Sequence, residues 1–260
     1  LQTVRTRAVQ FEYWALESFD QTLPLYPSAT DLANYEQAFQ AAVVDVKKDL
    51  AKQDQVNSWM QYVVSAANTN DTDTIAQFQK TGKASITVPL PYNEDGTIAV
   101  EWFNVRMLDF RIVLAPNTST PGLNIIVPFM HGGTSLLVDK QKSVHNFTHY
   151  ANWSYTYRYN GRNGCPDVAL CKLGEDTVNC PQSINYSPYG LWSIDASQAV
   201  GVNLTEVTEI HLQFFVSYAS SSAKFAPLFG GGASVNSQYI TPGFTPDFGT
   251  GCPFGPDATQ

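Results

Sequence analysis

The stretch that most constrains this chain runs from Tyr186 to Phe215, YSPYGLWSIDASQAVGVNLTEVTEIHLQFF. Within it Ile210, Leu212 and Phe214 alternate with Glu209, His211 and Gln213. That period of two predicts a half-buried strand of an antiparallel sheet from Thr208 to Val216. Leu191-Trp192-Ser193-Ile194, beside Pro188 and Gly190, predicts a short strand before it. The link from Asn203 to Thr208 sets Leu204 and Val207 among polar residues, so it is expected to pack down on the strands. A sandwich core closing over this pair follows.

Upstream the pattern is helical. Ser28 followed by Asp31 resembles a capping box with Asp in place of Glu. Leu32, Tyr35, Phe39, Ala42, Val43, Val46 and Leu50 then recur at steps of three and four, one apolar stripe on a helix from Ser28 to Asp54. Lys47, Lys48 and Lys52 complement the dipole at its end. Val56 to Ala67, with Trp59, Met60 and Val63, reads as a second helix. A third, short helix through Ile75 and Phe78, with Thr72 or Asp73 as its cap, ends before Gly82. Leu1 to Leu25 fits a strand or a helical face equally.

From Ala84 the grammar changes. Ile86, Val88 and Leu90 alternate, with Pro89 and Pro91 placing that strand at a sheet edge or end. Asn93-Glu94-Asp95-Gly96 is a turn. Val105–Leu114, Leu123–Met130, Ser135–Val138 and Trp153–Tyr159 are further strands, making seven or eight in all. The expected fold is mainly β: an antiparallel, jelly-roll-like sandwich over 83–228, a helical segment over 1–82, and an extended Gly/Pro-rich arm over 229–260.

The formal charge of −8 speaks against nucleic acid and against anionic membrane surfaces. No apolar run approaches the roughly 20 residues that a spanning helix needs. The chain opens at Leu1 with no signal peptide, so a processed protein or a fragment is expected. Acceptor sequons for N-glycosylation stand at Asn70, Asn117, Asn146, Asn152, Asn185 and Asn203. The four cysteines, Cys165, Cys171, Cys180 and Cys252, favour disulfides over zinc, because their spacing lacks close Cys pairs and nearby His. Both features point to an extracellular protein, with Cys252 pinning the arm to the 165–180 segment of its own or another chain.

Candidate chemistry is sparse. Met130-His131-Gly132-Gly133-Thr134 has the look of an oxyanion-hole loop, but no nucleophile elbow accompanies it, and a glycine turn between two strands explains it. His145 and His149 have metal-ligand spacing only if helical, and their context reads as a surface loop. Asp71, Asp73, Asn93, Glu94 and Asp95 lack calcium-loop spacing. No cofactor, metal or catalytic set is expected. Trp153, Tyr155, Tyr157 and Tyr159 alternate on one strand, either as core or as an exposed platform for sugars or proteins.

Two segments together resemble the C-terminal part of the A component of insecticidal Tc toxins. One is Gln79-Lys80-Thr81-Gly82-Lys83-Ala84-Ser85-Ile86-Thr87-Val88-Pro89, similar to a helix ending in K-x-T-G before a strand. The other is Ser187-Pro188-Tyr189-Gly190-Leu191-Trp192 with Leu204-Thr205-Glu206-Val207-Thr208-Glu209-Ile210, similar to S-P-F-x-x-W followed by L-S-x-V-T-x-I. The resemblance runs from about Thr74 to Phe215. It implies a β-sandwich behind a helical stalk, in a region that mediates assembly with another component, and it carries over no catalytic residue. The sequons, the cysteines and the arm depart from the family pattern.

The functional expectation is therefore a secreted, glycosylated structural subunit that self-associates or joins another protein subunit, into filaments or rings. Its contacts are expected at Leu32, Tyr35, Phe39 and Val46 on the helix and at Tyr239, Phe244 and Phe248 on the arm. The alternative is a β-sandwich module that binds glycans or a receptor.

Overall fold

The computed structural model describes residues 28–50, 55–90, 102–115, 124–139, 141–148, 154–160, 186–220 and 239–240. Among them the chain is mainly β, with antiparallel sheets and an N-terminal helix, α1, Ala29–Leu50. The capping box forms as the sequence predicts. The Ser28 N–H and hydroxyl both donate to Asp31 Oδ2, at 2.8 and 2.7 Å, and the Asp31 N–H donates back to Ser28 Oγ at 3.1 Å. The same hydroxyl and backbone bonds hold the Asp31 carboxyl below its ordinary range.

The next element overturns an expectation. Residues 55–65 form a strand, β1 (Gln55–Ser65), where the sequence reading places a helix over Val56–Ala67. Trp59, Met60 and Val63 fit a helical face, but Met60, Tyr62 and Val64 also alternate, and all three are buried. Aromatic and β-branched residues favour the pleated form. All 11 positions of β1 pair with β9 (Glu209–Ser220), from Gln55 opposite Ala219 to Ser65 opposite Glu209. That long-range ladder outweighs the local helical spacing.

The first sheet has the order β10–β1–β9–β3, with β3 at Trp102–Ala115 and β10 at Tyr239–Ile240. The second has the order β2–β8–β4–β7: Lys83–Val88, Gly190–Asp195, Asn124–His131 and Ser154–Asn160. A hairpin of β5 (Thr134–Val138) and β6 (Val144–Thr148) completes the described strands. Three of these ten were not foreseen: β1, β6 and β10. The segment around His145, read as a surface loop, is the strand β6.

The foreseen strands behave as their alternation requires. In β2, Ala84, Ile86 and Val88 are buried while Lys83, Ser85 and Thr87 are exposed. In β9, Ile210, Leu212, Phe214 and Val216 are fully buried. They share one apolar cluster with Met107 of β3, Phe129 of β4 and Trp192 of β8, so both sheets feed the same core. The link before β9 packs down: Leu204–Glu206 forms one 3₁₀ turn, and Val207 is buried with its carbonyl accepting from Gln79 Nε2 at 2.8 Å.

α2 (Thr72–Thr81) lays Ile75 and Phe78 on that core. Its cap is Asp71 rather than Thr72 or Asp73; Asp71 Oδ2 accepts from the Ser65 N–H at 3.3 Å and so ties the helix start to the end of β1. At its other end Gly82 sits at φ 73° and its N–H donates to the Phe78 carbonyl at 2.7 Å. A Cβ on Gly82 would lie 2.6 Å from the backbone N and Cα of Ser197. Only glycine permits that approach, and it lets the Ala196 N–H donate to the Gly82 carbonyl.

Candidate functional site

His131 is the first residue to test, because it opens the His-Gly-Gly motif. It ends β4, Gly132 and Gly133 turn, and β5 begins at Thr134, as the glycine-turn reading expects. The side chain is wholly buried, stacked on Tyr186 at 5.0 Å between ring centres and met edge-on by Trp192 at 4.6 Å. Its Nδ1 accepts from the Gly133 N–H at 3.1 Å, which puts the proton of the neutral ring on Nε2. Burial pushes the imidazole down to about 4, with the Ser187 backbone pulling weakly the other way. The ring is thus neutral at ordinary pH.

A general base must hold its nucleophile within hydrogen-bond reach. His131 Nε2 bonds to no described side chain, and Nδ1 is occupied by the turn. The nearby hydroxyls serve the backbone instead: Ser135 Oγ accepts from the Ser187 N–H at 3.3 Å, and Ser187 Oγ accepts from the Tyr189 N–H at 3.2 Å. Trp192 completes the arrangement. Its indole N–H donates to the Pro188 carbonyl at 2.8 Å while its ring stacks on Phe129 at 4.5 Å. Gly190, at φ 147°, passes so close to β5 that a Cβ would lie 2.7 Å from the Thr134 carbonyl oxygen. The motif that carries the Ser-Pro-Tyr-Gly-Leu-Trp resemblance is therefore a structural hub.

The second histidine noted in the sequence, His145, pairs through Nε2 with Asp139 Oδ2 at 2.7 Å. Asp139 is buried and its other oxygen accepts from the Ser143 N–H at 2.8 Å, so the pair clips the β5–β6 turn. Sequence reasoning missed Asp139, because the hairpin that brings it to His145 depends on β6, which the sequence reading took for a loop. Among the described residues no three His, Cys, Asp or Glu side chains gather as metal ligands do. The aromatic strand is β7, whose Tyr155 and Tyr157 are register partners of Phe129 and Val127 in β4.

The expected contact residues divide. Tyr35 and Phe39 are buried, their ring centres 5.7 Å apart, while Leu32 is 49% exposed and Val44, outside the expected stripe, 50%. Val46 lies within α1. Tyr239 starts β10, where it stands opposite Tyr62, and Ile240 stands opposite Gln61. Asn70, Asn146 and Asn203 are exposed, as acceptor asparagines must be. Asn203 also holds its own turn: Nδ2 donates to Glu206 Oε1 at 2.6 Å and Oδ1 accepts from the Thr205 hydroxyl at 2.7 Å. Asn117, Asn152, Asn185, Phe244, Phe248, His149, Trp153 and the four cysteines lie outside the described residues, as do Asn93, Glu94, Asp95 and the stretch 1–25.

No family model and no curated protein matches the chain. Among solved structures it is similar to the Yersinia pseudotuberculosis TcaA-TcaB complex seen by cryo-electron microscopy, at 12% identity and a TM-score of 0.42. The match covers 72% of this chain and 11% of that one, so it concerns a segment of a much longer protein.

Proposed function

We propose that this chain is a structural or assembly subunit, a secreted and glycosylated β-sandwich that joins copies of itself, or another protein subunit, through its N-terminal helix and C-terminal arm. Rings or filaments are the expected products. One observation carries the reading: Tyr239–Ile240, a piece of the Gly- and Pro-rich arm, is taken up antiparallel by the edge of a sheet. Strand addition of this kind draws affinity from main-chain hydrogen bonds and specificity from alternate side-chain pockets. The exposed Leu32 and Val44 add apolar surface on α1 to that contact set. Two antiparallel sheets sharing one buried cluster support the sandwich arrangement. The exposed sequons at Asn70, Asn146 and Asn203 support the secreted, glycosylated part of the reading.

The test is electron microscopy of natively isolated protein, with its mass taken by light scattering, beside a version that ends at Gly232. Ordered assemblies whose mass falls when the arm is removed are expected. An association state indifferent to the truncation would remove the arm from the reading. A monomer of 28.6 kDa plus glycan at every concentration would remove the reading itself. Endoglycosidase treatment is expected to lower the mass of the native chain.

A further inference from the structure

The first sheet has two edges of opposite character among the described residues. One is β3, whose sequence includes Arg106, Asp109 and Arg111 and whose ladder to β9 shifts register twice, between Phe103 and Arg106 and between Met107 and Asp109. Charges and bulges are the devices by which an edge is kept from further pairing. On the other side β1 carries only the two-residue β10 beyond it. Its 11 residues, QVNSWMQYVVS, contain no charge, no proline and no glycine, and its ladder to β9 runs through without a shift. Its outer side is paired at Gln61 and Tyr62 alone among the described residues.

We infer that the outer side of β1 is an acceptor for the arm of a second copy of this chain, which enters at the register Tyr62–Tyr239 and Gln61–Ile240. The inference rests on the assembly reading and names its partner and its register. The connection from β9 to β10 is residues 221–238, eighteen in number. Fully extended it reaches roughly 60 Å. The return from the Gln55–Ala219 end of the sheet to the level of Tyr62 is roughly 25–30 Å at strand rise and spacing. The same connection therefore spans to a neighbouring β1, where identical main-chain bonds form. Exchange of an identical element is a low-cost route to association, and one arm given and one edge filled per copy is a head-to-tail contact. Such a contact closes into a ring or continues as a filament.

Full-length protein carrying Ile240→p-benzoylphenylalanine, a photo-crosslinking residue, decides the matter. Isotopically light and heavy chains are mixed, dissociated in mild denaturant, reassembled and irradiated. Cross-linked peptides joining residue 240 of one isotope to residues 55–65 of the other are the expected result. Assemblies that yield only same-isotope cross-links overturn the exchange and leave association through α1 standing. A chain that stays monomeric throughout overturns both the exchange and the assembly reading. In a second variant, Ile240→Pro, the arm loses a backbone donor. Its dissociation constant is expected to rise roughly tenfold while its urea midpoint stays fixed; unchanged association overturns the exchange.

Discussion

The interior around Trp192 and the outer side of β1 are built on opposite terms. At Trp192 four donors have fixed acceptors: indole N–H to Pro188, Gly132 N–H to Leu191, Ser187 N–H to Ser135 Oγ, Tyr189 N–H to Ser187 Oγ. Glycine is obligatory where two segments of the backbone touch, at Gly190 against Thr134 and at Gly82 against Ser197. Along β1, by contrast, two of 11 outer positions are paired among the described residues. The interior tolerates little change in shape and sets stability. The edge tolerates side-chain change and, on the assembly reading, sets association, so the two properties can be altered separately.

The comparison breaks first at the hub. Trp192→Ala removes a fully buried ring stacked on Phe129 and touching His131 and Phe214, and is expected to cost about 4 kcal/mol in urea unfolding. Gly82→Ala follows. It combines a left-handed φ with a 2.6 Å clash into Ser197, so a loss of about 3 kcal/mol is expected by the same measurement. A loss below about 0.5 kcal/mol, the range of ordinary surface changes, would show that the corner yields and that the hub is soft.

His131 sharpens the contrast through pH. Its folded value is about 4 against an ordinary 6.5, so below pH 6.5 the unfolded chain binds a proton that the folded chain refuses. Stability from this group is complete above pH 6.5 and is lost as pH falls towards 4, by up to about 3 kcal/mol. Urea midpoints across that window are expected to fall in the native protein and to fall less in His131→Phe.

Smaller effects belong to the periphery. Ser28→Ala removes the hydroxyl's two bonds to Asp31 and leaves the Ser28 N–H to Asp31 Oδ2 bond, and is expected to cost about 1 kcal/mol of helix stability, read as lost helical circular dichroism on warming. Asn57→Lys places a charge on an exposed position of β1. Folding stability is expected to move by less than about 0.5 kcal/mol, while sedimentation shows weaker association. A large stability change there would erase the distinction between the two regions.

What the sequence discloses follows from range. The alternation of Ile210, Leu212 and Phe214, and of Ala84, Ile86 and Val88, is local, and so is the Ser28–Asp31 box; each was legible in the sequence. β1 was not, because its partner decides it: Gln61 and Gln213, whose buried amides share a 2.7 Å hydrogen bond, lie 152 residues apart. The hub was half legible. The Ser-Pro-Tyr-Gly-Leu-Trp run announces a turn into a strand, but nothing in it says that His131 will lie against Tyr186 and Trp192. Asp139 and His145 meet only because the intervening residues turn back as a hairpin.

The pairing of β1 with β9 also has a consequence in time. Ser65 and Glu209, which close that ladder, are 144 residues apart. At ordinary synthesis rates of about 5–20 residues per second, β1 leaves the ribosome on the order of ten seconds before the start of its partner. For that interval an uncharged, proline-free strand has no sheet to join. Long-range pairing of this sort is slow and open to wrong partners, so nascent chains of this protein are expected to depend on chaperones until residue 220 has emerged.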